Sequence, residues 1–180
     1  MRGRDSNLAF VGSPGAGKTW AARSIVSTRP RLIWIDPVGT LRLARRQFST
    51  RTAQGAAQAL GAYEVAQVVI YADHLDDQGV AQLVEAAAAV AIESPGRCTL
   101  VIDEWAIVAR SRRPAHYVTR ALRGGRHNGV SVIPITQRPA DLHPDVRGVM
   151  DYLVIFRCPE AADAEHLRRI DPEIATAART

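Results

Sequence analysis

The chain has 180 residues, 47% of them hydrophobic and 23% charged, and its 23 Lys and Arg against 18 Asp and Glu leave a formal net charge of +5. These values fit a single domain over residues 1–180 with enough chain for its own core and exclude a disordered polymer. They also exclude a disulfide scaffold, since only Cys98 and Cys158 are present, in no metal-ligand spacing. No apolar run approaches the roughly 20 residues of a membrane span, and the charged first residues do not read as a signal peptide. The charge is uneven: +8 over 1–63, −6 over 64–96, +5 over 97–126 and −2 over 127–180. Basic blocks of this kind allow a polyanionic partner. Of the 23 basic residues 22 are Arg, and the single lysine is Lys18.

In chain order, residues 8–11 form an apolar strand, a Gly-rich turn follows, and 18–27 have helical spacing. Residues 31–35 are the second strand. Residues 41–62 carry Arg42, Arg45, Arg46 and Arg51 among small residues and read as a helix pair or a loop. Residues 67–71 are the next strand. Over 76–93, Val80, Leu83, Val84, Ala87, Val90 and Ala91 recur at helical spacing, and Ser94-Pro95-Gly96 ends the run. Residues 98–102 are a wholly apolar strand, and 116–123 a helix stopped by Gly124-Gly125. Residues 130–136 are a strand in which Pro134 predicts an interruption or an edge-like irregularity. Residues 152–156 are the last strand and 160–170 the closing helix. Strands apolar on both faces and separated by helices predict an α/β fold with a mainly parallel sheet.

The turn after the first strand, Gly12-Ser13-Pro14-Gly15-Ala16-Gly17-Lys18-Thr19, satisfies G-x-x-x-x-G-K-[ST] in the strand–turn–helix context that the motif needs. Gly15 and Gly17 let successive N–H groups curl toward one anion, and the helix adds its positive end. Lys18 reaches the β/γ-phosphates and Thr19 offers a hydroxyl to Mg²⁺. A forked guanidinium does not replace a compact ammonium in such a loop, which accounts for the only lysine. The predicted ligands are therefore a nucleoside triphosphate and Mg²⁺.

The strand 98–102 ends in Asp103-Glu104. At the carboxyl edge of a parallel sheet both face the ligand crevice. Asp103 suits the Mg²⁺ shell and Glu104 a general base acting on water. The strand 130–136 ends in Thr136-Gln137-Arg138-Pro139, whose Gln137 amide is suited to lie beside a γ-phosphate, and Arg126 precedes it in Arg123-Gly124-Gly125-Arg126-His127-Asn128-Gly129.

With the phosphate loop, Ile35-Asp36-Pro37, Asp103-Glu104 and Arg126 through Thr136-Gln137-Arg138-Pro139 in this order, the sequence resembles the FtsK–HerA superfamily of P-loop ATPases over about residues 9–157. The resemblance implies a RecA-like (ASCE) P-loop fold, hydrolysis of ATP, a homo-oligomeric and hexameric ring, and translocation of DNA. It also implies Gln137 as sensor and Arg126 as an arginine finger reaching a neighbouring subunit, with Arg120 and Arg123 as competitors. A finger of this kind is worth a rate factor of roughly 10³ or more. The chain looks most like the small genome-packaging ATPases of membrane-containing icosahedral viruses. That implies a host-cytoplasm or virion-vertex location, with capsid-vertex or viral membrane proteins as partners.

Arg110, Arg112 and Arg113 follow the catalytic strand and are candidate contacts to DNA phosphates, duplex rather than single-stranded because no aromatics are interleaved. A solvated basic loop fits them equally. Two other readings share the phosphate loop. One is an assembly or secretion ATPase of the filamentous-phage type, acting on protein or single-stranded DNA. The other is a small-molecule P-loop kinase, which the Asp-Glu and Gln arrangement fits badly. Trp20, Trp34 and Trp105 adjoin the motifs and read as core or interface packing.

Overall fold

The structure, a computed structural model, describes residues 6–43, 47–110 and 115–178. Its strands are β1 (Leu8–Val11), β2 (Arg31–Asp36), β3 (Gln47–Thr50), β4 (Ala66–Tyr71), β5 (Cys98–Ile102), β6 (Val130–Thr136) and β7 (Tyr152–Ile155). They form one sheet in the order β3-β4-β2-β5-β6-β1-β7, and every pairing is parallel. The helices are α1 (Lys18–Val26), α2 (Ala53–Ala62), α3 (Asp77–Glu93), α4 (Ala106–Ala109), α5 (His116–Gly124), α6 (Pro144–Arg147), α7 (Ala161–Ile170) and α8 (Pro172–Ala177). This is the RecA-like α/β arrangement expected of the sequence.

Successive strand residues point to opposite faces. Ala9, Ile33, Val68, Leu100 and Val132 pack with residues of α2, α3, α5 and α7. Phe10, Trp34, Val69, Val101 and Ile133 pack with α1 and Leu41. On α3 the buried set is Val80, Leu83, Val84, Ala87, Ala88 and Ala91, close to the set that the periodicity predicts. Asp76 caps α3 by accepting from the Gly79 N–H at 2.8 Å, and Thr52 caps α2 by accepting from Gly55 at 3.1 Å. The order β5-β6-β1 sets the site: β6 lies between two strands that precede it in sequence, so the ends of all three adjoin.

Two expectations are corrected. The stretch 41–62 is neither a helix pair nor a loop: it holds the edge strand β3 and then α2. β3 pairs on one side only, with β4, and Phe48 is its sole large apolar residue, so it leaves little hydrophobic signal. Pro134 does not interrupt β6, which runs unbroken over seven residues in the sheet interior. The β1–β6 register begins at Phe10↔Ile135, one residue beyond Pro134, so the missing N–H falls where that ladder has not started.

One buried polar side chain joins three parts of this framework. Asn7 is fully buried; its Nδ2 donates to Leu122 O (3.2 Å) and Val149 O (3.1 Å), and its Oδ1 accepts from Val132 N (2.9 Å). Asn7→Ala leaves three backbone groups without these partners and is expected to destabilise the protein by roughly 2–4 kcal/mol. A chemical-denaturation midpoint shows this as a shift at unchanged slope; an unshifted midpoint means that water replaces the amide.

Candidate active site

The phosphate loop leaves β1 between β6 and β7 and is tied to both. Gly12 N donates to Thr136 O at 3.3 Å, Ser13 N to Arg157 O at 2.8 Å, and Phe156 N to Val11 O at 2.7 Å. Gly12 is required by crowding: a Cβ there would sit 2.5 Å from Phe156 Cβ. Gly17 is the N-cap of α1 at φ 93°, a conformation that side chains resist. No acidic residue lies in the first turn of α1, and no side chain caps it. Its N–H groups and positive end are thus available to an anion. Pro14, Gly15 and Ala16 complete the bend, and Ala16 N donates back to Ser13 O at 3.3 Å.

Lys18 is buried, and its Nζ donates to Ser13 O at 2.9 Å. Burial pushes its pKa down, while the Glu104 and Asp103 carboxylates push it back up. Both carboxylates therefore reach the lysine electrostatically. Asp103 Oδ1 accepts from Glu104 N at 3.1 Å, and Asp103 Oδ2 accepts from Thr19 Oγ1 at 3.4 Å. Desolvation raises the Asp103 pKa to about 6. Two adjacent hard oxygen donors fit Mg²⁺, which takes one or two protein ligands and leaves its other positions to water and phosphate.

Glu104 sits at φ 52°, the one non-glycine residue in the left-handed region among those described. Such a conformation stores roughly 1–2 kcal/mol. Its surroundings hold it there: Trp105 N donates to Ile135 O at 2.8 Å, Trp105 Nε1 donates to Asp141 O at 3.2 Å, and Ile107 N donates to Glu104 O at 3.0 Å. Gln137 Nε2 donates to both Glu104 oxygens, at 2.8 and 3.1 Å. Two residues predicted separately are therefore in direct contact. A cavity of about 710 Å³ opens beside them, lined in part by Ala109, Arg138, Leu142 and His166.

The structure does not bring Arg126 to this group. Arg126 belongs to a 3-10 turn, Gly125–Asn128, that precedes β6, whereas Gln137 follows β6. Seven residues of strand separate the two edges by about 20 Å. Arg123 pairs with Asp145 at 3.6 Å. Arg110 ends α4, is exposed and is engaged by the Asp77 carboxylate. Arg112, Arg113, Arg45 and Arg46 lie outside the described residues. Arg42 donates to Tyr71 Oη at 2.7 Å and Arg51 pairs with Asp73 at 3.4 Å, so both have partners within the fold.

Asp36 is a residue whose part the sequence reading missed. Its buried carboxylate accepts from Val38 N (2.9 Å), Gly39 N (3.0 Å) and Leu41 N (2.7 Å), ordering the loop after β2. The available signal was an Asp closing an apolar strand before Pro37 and Gly39.

Residues 8–158 match the family described as "ATPase family associated with various cellular activities (AAA)". The chain belongs to the AAA ATPase family. No curated protein matches the sequence. Among solved structures this AAA chain is similar to the genome packaging NTPase B204 from Sulfolobus turreted icosahedral virus 2 in complex with sulfate. The two share 21% identity and a TM-score of 0.77, over 99% of this chain and 87% of that one. It is also similar to B204, the DNA-packaging ATPase from Sulfolobus turreted icosahedral virus, at 20% identity and TM-score 0.70, over 97% and 87% of the two chains. A more distant likeness is to ATPases 2 and 3 of EccC from Thermomonospora curvata, at 13% identity and TM-score 0.56. That match covers 92% of this chain but 34% of the other. No described helix is long and apolar enough to cross a membrane.

The electrostatics of the AAA site set a testable pH dependence. Ionised Asp103 is penalised only in the fold. Its contribution is absent below the ordinary carboxylate value near pH 4, and stability is lost as pH rises to about 6. Asp103→Asn keeps an acceptor for Glu104 N and carries no charge. It is expected to stabilise the ligand-free protein by roughly 2–3 kcal/mol above pH 6 and by little near pH 4. Melting curves at the two pH values check this; an unchanged or lower midpoint at pH 7.5 contradicts it.

Proposed function

We propose that this AAA ATPase is the subunit of a ring-shaped, homo-oligomeric motor that hydrolyses ATP to translocate DNA, in a viral genome-packaging role. The observation that carries the hydrolytic part is the contact of Gln137 with Glu104, beside Asp103, Thr19 and Lys18 at one sheet edge. In this reading Ser13 to Thr19 hold the phosphates and Lys18 swings from Ser13 O to the β/γ-phosphate oxygens. Thr19 and Asp103 hold Mg²⁺, which when bound screens the phosphate charge. Glu104 takes a proton from water as its oxygen attacks the γ-phosphorus, and the bond to the β-phosphate oxygen breaks, giving ADP and phosphate. Gln137 orients Glu104 and senses the γ-phosphate.

Arg126 acts on a neighbouring subunit, a role supported by its distance from the phosphate loop of its own chain. The cavity beside Glu104 and Gln137 offers a neighbour's side chain a route to the reacting atoms. Six subunits, duplex DNA, contacts from Arg110, Arg112 and Arg113, capsid-vertex or viral membrane partners and a host-cytoplasm or virion-vertex location complete the proposal. The motor role is supported by the whole-chain likeness to proteins described as genome packaging or DNA-packaging ATPases. A second reading, an ATPase acting on protein, is favoured by the likeness to EccC, whose solved complex contains a signal sequence peptide.

Glu104→Gln is expected to keep ATP binding and lose turnover by about 10²-fold or more; near-normal hydrolysis removes the base assignment. ATPase rates with and without duplex DNA at two salt concentrations separate the two readings. A DNA motor is stimulated, and the DNA concentration for half-stimulation rises steeply with salt. Absence of stimulation at both concentrations favours the protein-directed reading.

A further inference from the structure

Three tryptophans stand near the motifs, and the fold uses two of them. Trp34 and Trp105 are buried at 0% and 1% exposure, whereas Trp20 is 75% exposed, the highest among the exposed large hydrophobic side chains. Trp20 follows Thr19 directly and lies in the first turn of α1. On that helix Lys18, Ala22 and Val26 are buried, and Ala21 and Ile25 pack against the sheet. At 100° per residue Trp20 points almost directly away from that face. It takes no part in the core, yet its backbone belongs to the turn that the phosphate loop opens.

The site has a direction. Glu104 and Gln137, at the ends of β5 and β6, mark the γ-phosphate end. Phosphate loops cradle the α- and β-phosphates with backbone N–H groups around the start of the helix. On the ATPase reading, the ribose and base of a bound nucleotide would continue from this turn on the side away from Glu104. The other exposed aromatics are elsewhere: Tyr63 ends α2 ahead of β4, and Tyr152 begins β7, both at the amino edge of the sheet. Phe156, the remaining aromatic by the loop, is half-buried beneath Gly12 and packs toward Phe10 at 6.3 Å between centroids.

We propose that Trp20 is the stacking platform for the nucleobase of the bound nucleoside triphosphate. The proposal rests on the ATPase reading and adds to it the element that holds the base. An indole face attracts any base face, and purines most through their larger area. Recognition by face alone does not distinguish adenine from guanine, so ATP and GTP bind comparably.

The test is calorimetric titration of ATP, GTP and inorganic tripolyphosphate, each with Mg²⁺, into the wild type, Trp20→Ala and Trp20→Phe, with sedimentation to follow assembly. Trp20→Ala is expected to weaken ATP and GTP by about tenfold or more and to leave tripolyphosphate within about twofold; Trp20→Phe recovers part of the loss. If Trp20→Ala binds ATP like the wild type, the platform is wrong. It is equally wrong if tripolyphosphate weakens in parallel, which assigns Trp20 to loop shape, or if the loss tracks dissociation of the oligomer, which assigns it to an interface. A wild-type chain that binds neither ATP nor tripolyphosphate overturns the ATPase reading instead.

Discussion

A sheet whose strands all run one way collects the carboxyl ends of all of them at a single edge. In this chain that constraint does most of the chemical assembly. β1 delivers the phosphate loop, β5 delivers Asp103 and Glu104, and β6 delivers Gln137, although about ninety residues separate the first of these from the second. The insertion of β6 between β5 and β1 completes the arrangement. It lets Trp105 N reach Ile135 O and Gly12 N reach Thr136 O, so the phosphate loop and the Asp103-Glu104 turn are both pinned to one central strand. The Gln137–Glu104 contact follows from this placement.

The same convergence carries an energetic burden. Two carboxylates and an ammonium share a partly desolvated site, with Asp103 held well above its ordinary range and Lys18 below its own. Glu104 adds backbone strain, and the Trp105 and Gln137 contacts hold it in place. Strain and unfavourable ionisation persist where surrounding structure over-determines them, and here the surroundings are β6 and the segment after it. Thr136 Oγ1 donates to Asp141 Oδ2 at 2.6 Å, locking that segment onto the strand end.

The arginines, which dominate the positive charge, divide by what they touch. Arg31 is buried and donates to Leu60 O and Tyr63 O, closing the end of α2. Arg29 donates to Thr99 and Ser131 beneath β5 and β6. Arg42 lies over the Tyr71 ring, and Arg138 reaches buried Asp163 at 3.4 Å. A good part of an apparently polyanion-directed composition therefore serves helix ends and sheet packing. Composition counts charges without reporting which are already committed.

The sequence by itself determined the α/β class and the phosphate loop. Both are local: strand and helix periodicities repeat within a few residues, and eight consecutive residues encode a curled backbone and a lysine beside it. Asp103-Glu104 and Gln137 were legible for the same reason, as polar residues closing apolar strands. β3 was not, because a four-residue edge strand with one large apolar side chain hardly differs from a loop. Pro134 misled, because its tolerance depends on where a neighbouring ladder begins. Only the tertiary structure decided that Gln137 holds Glu104, that Asp36 orders the loop after β2, and that Arg126 stands at the far edge from its own phosphate loop. Strand order and register set these relations, and they are fixed by contacts between residues distant in sequence, which local periodicity does not record.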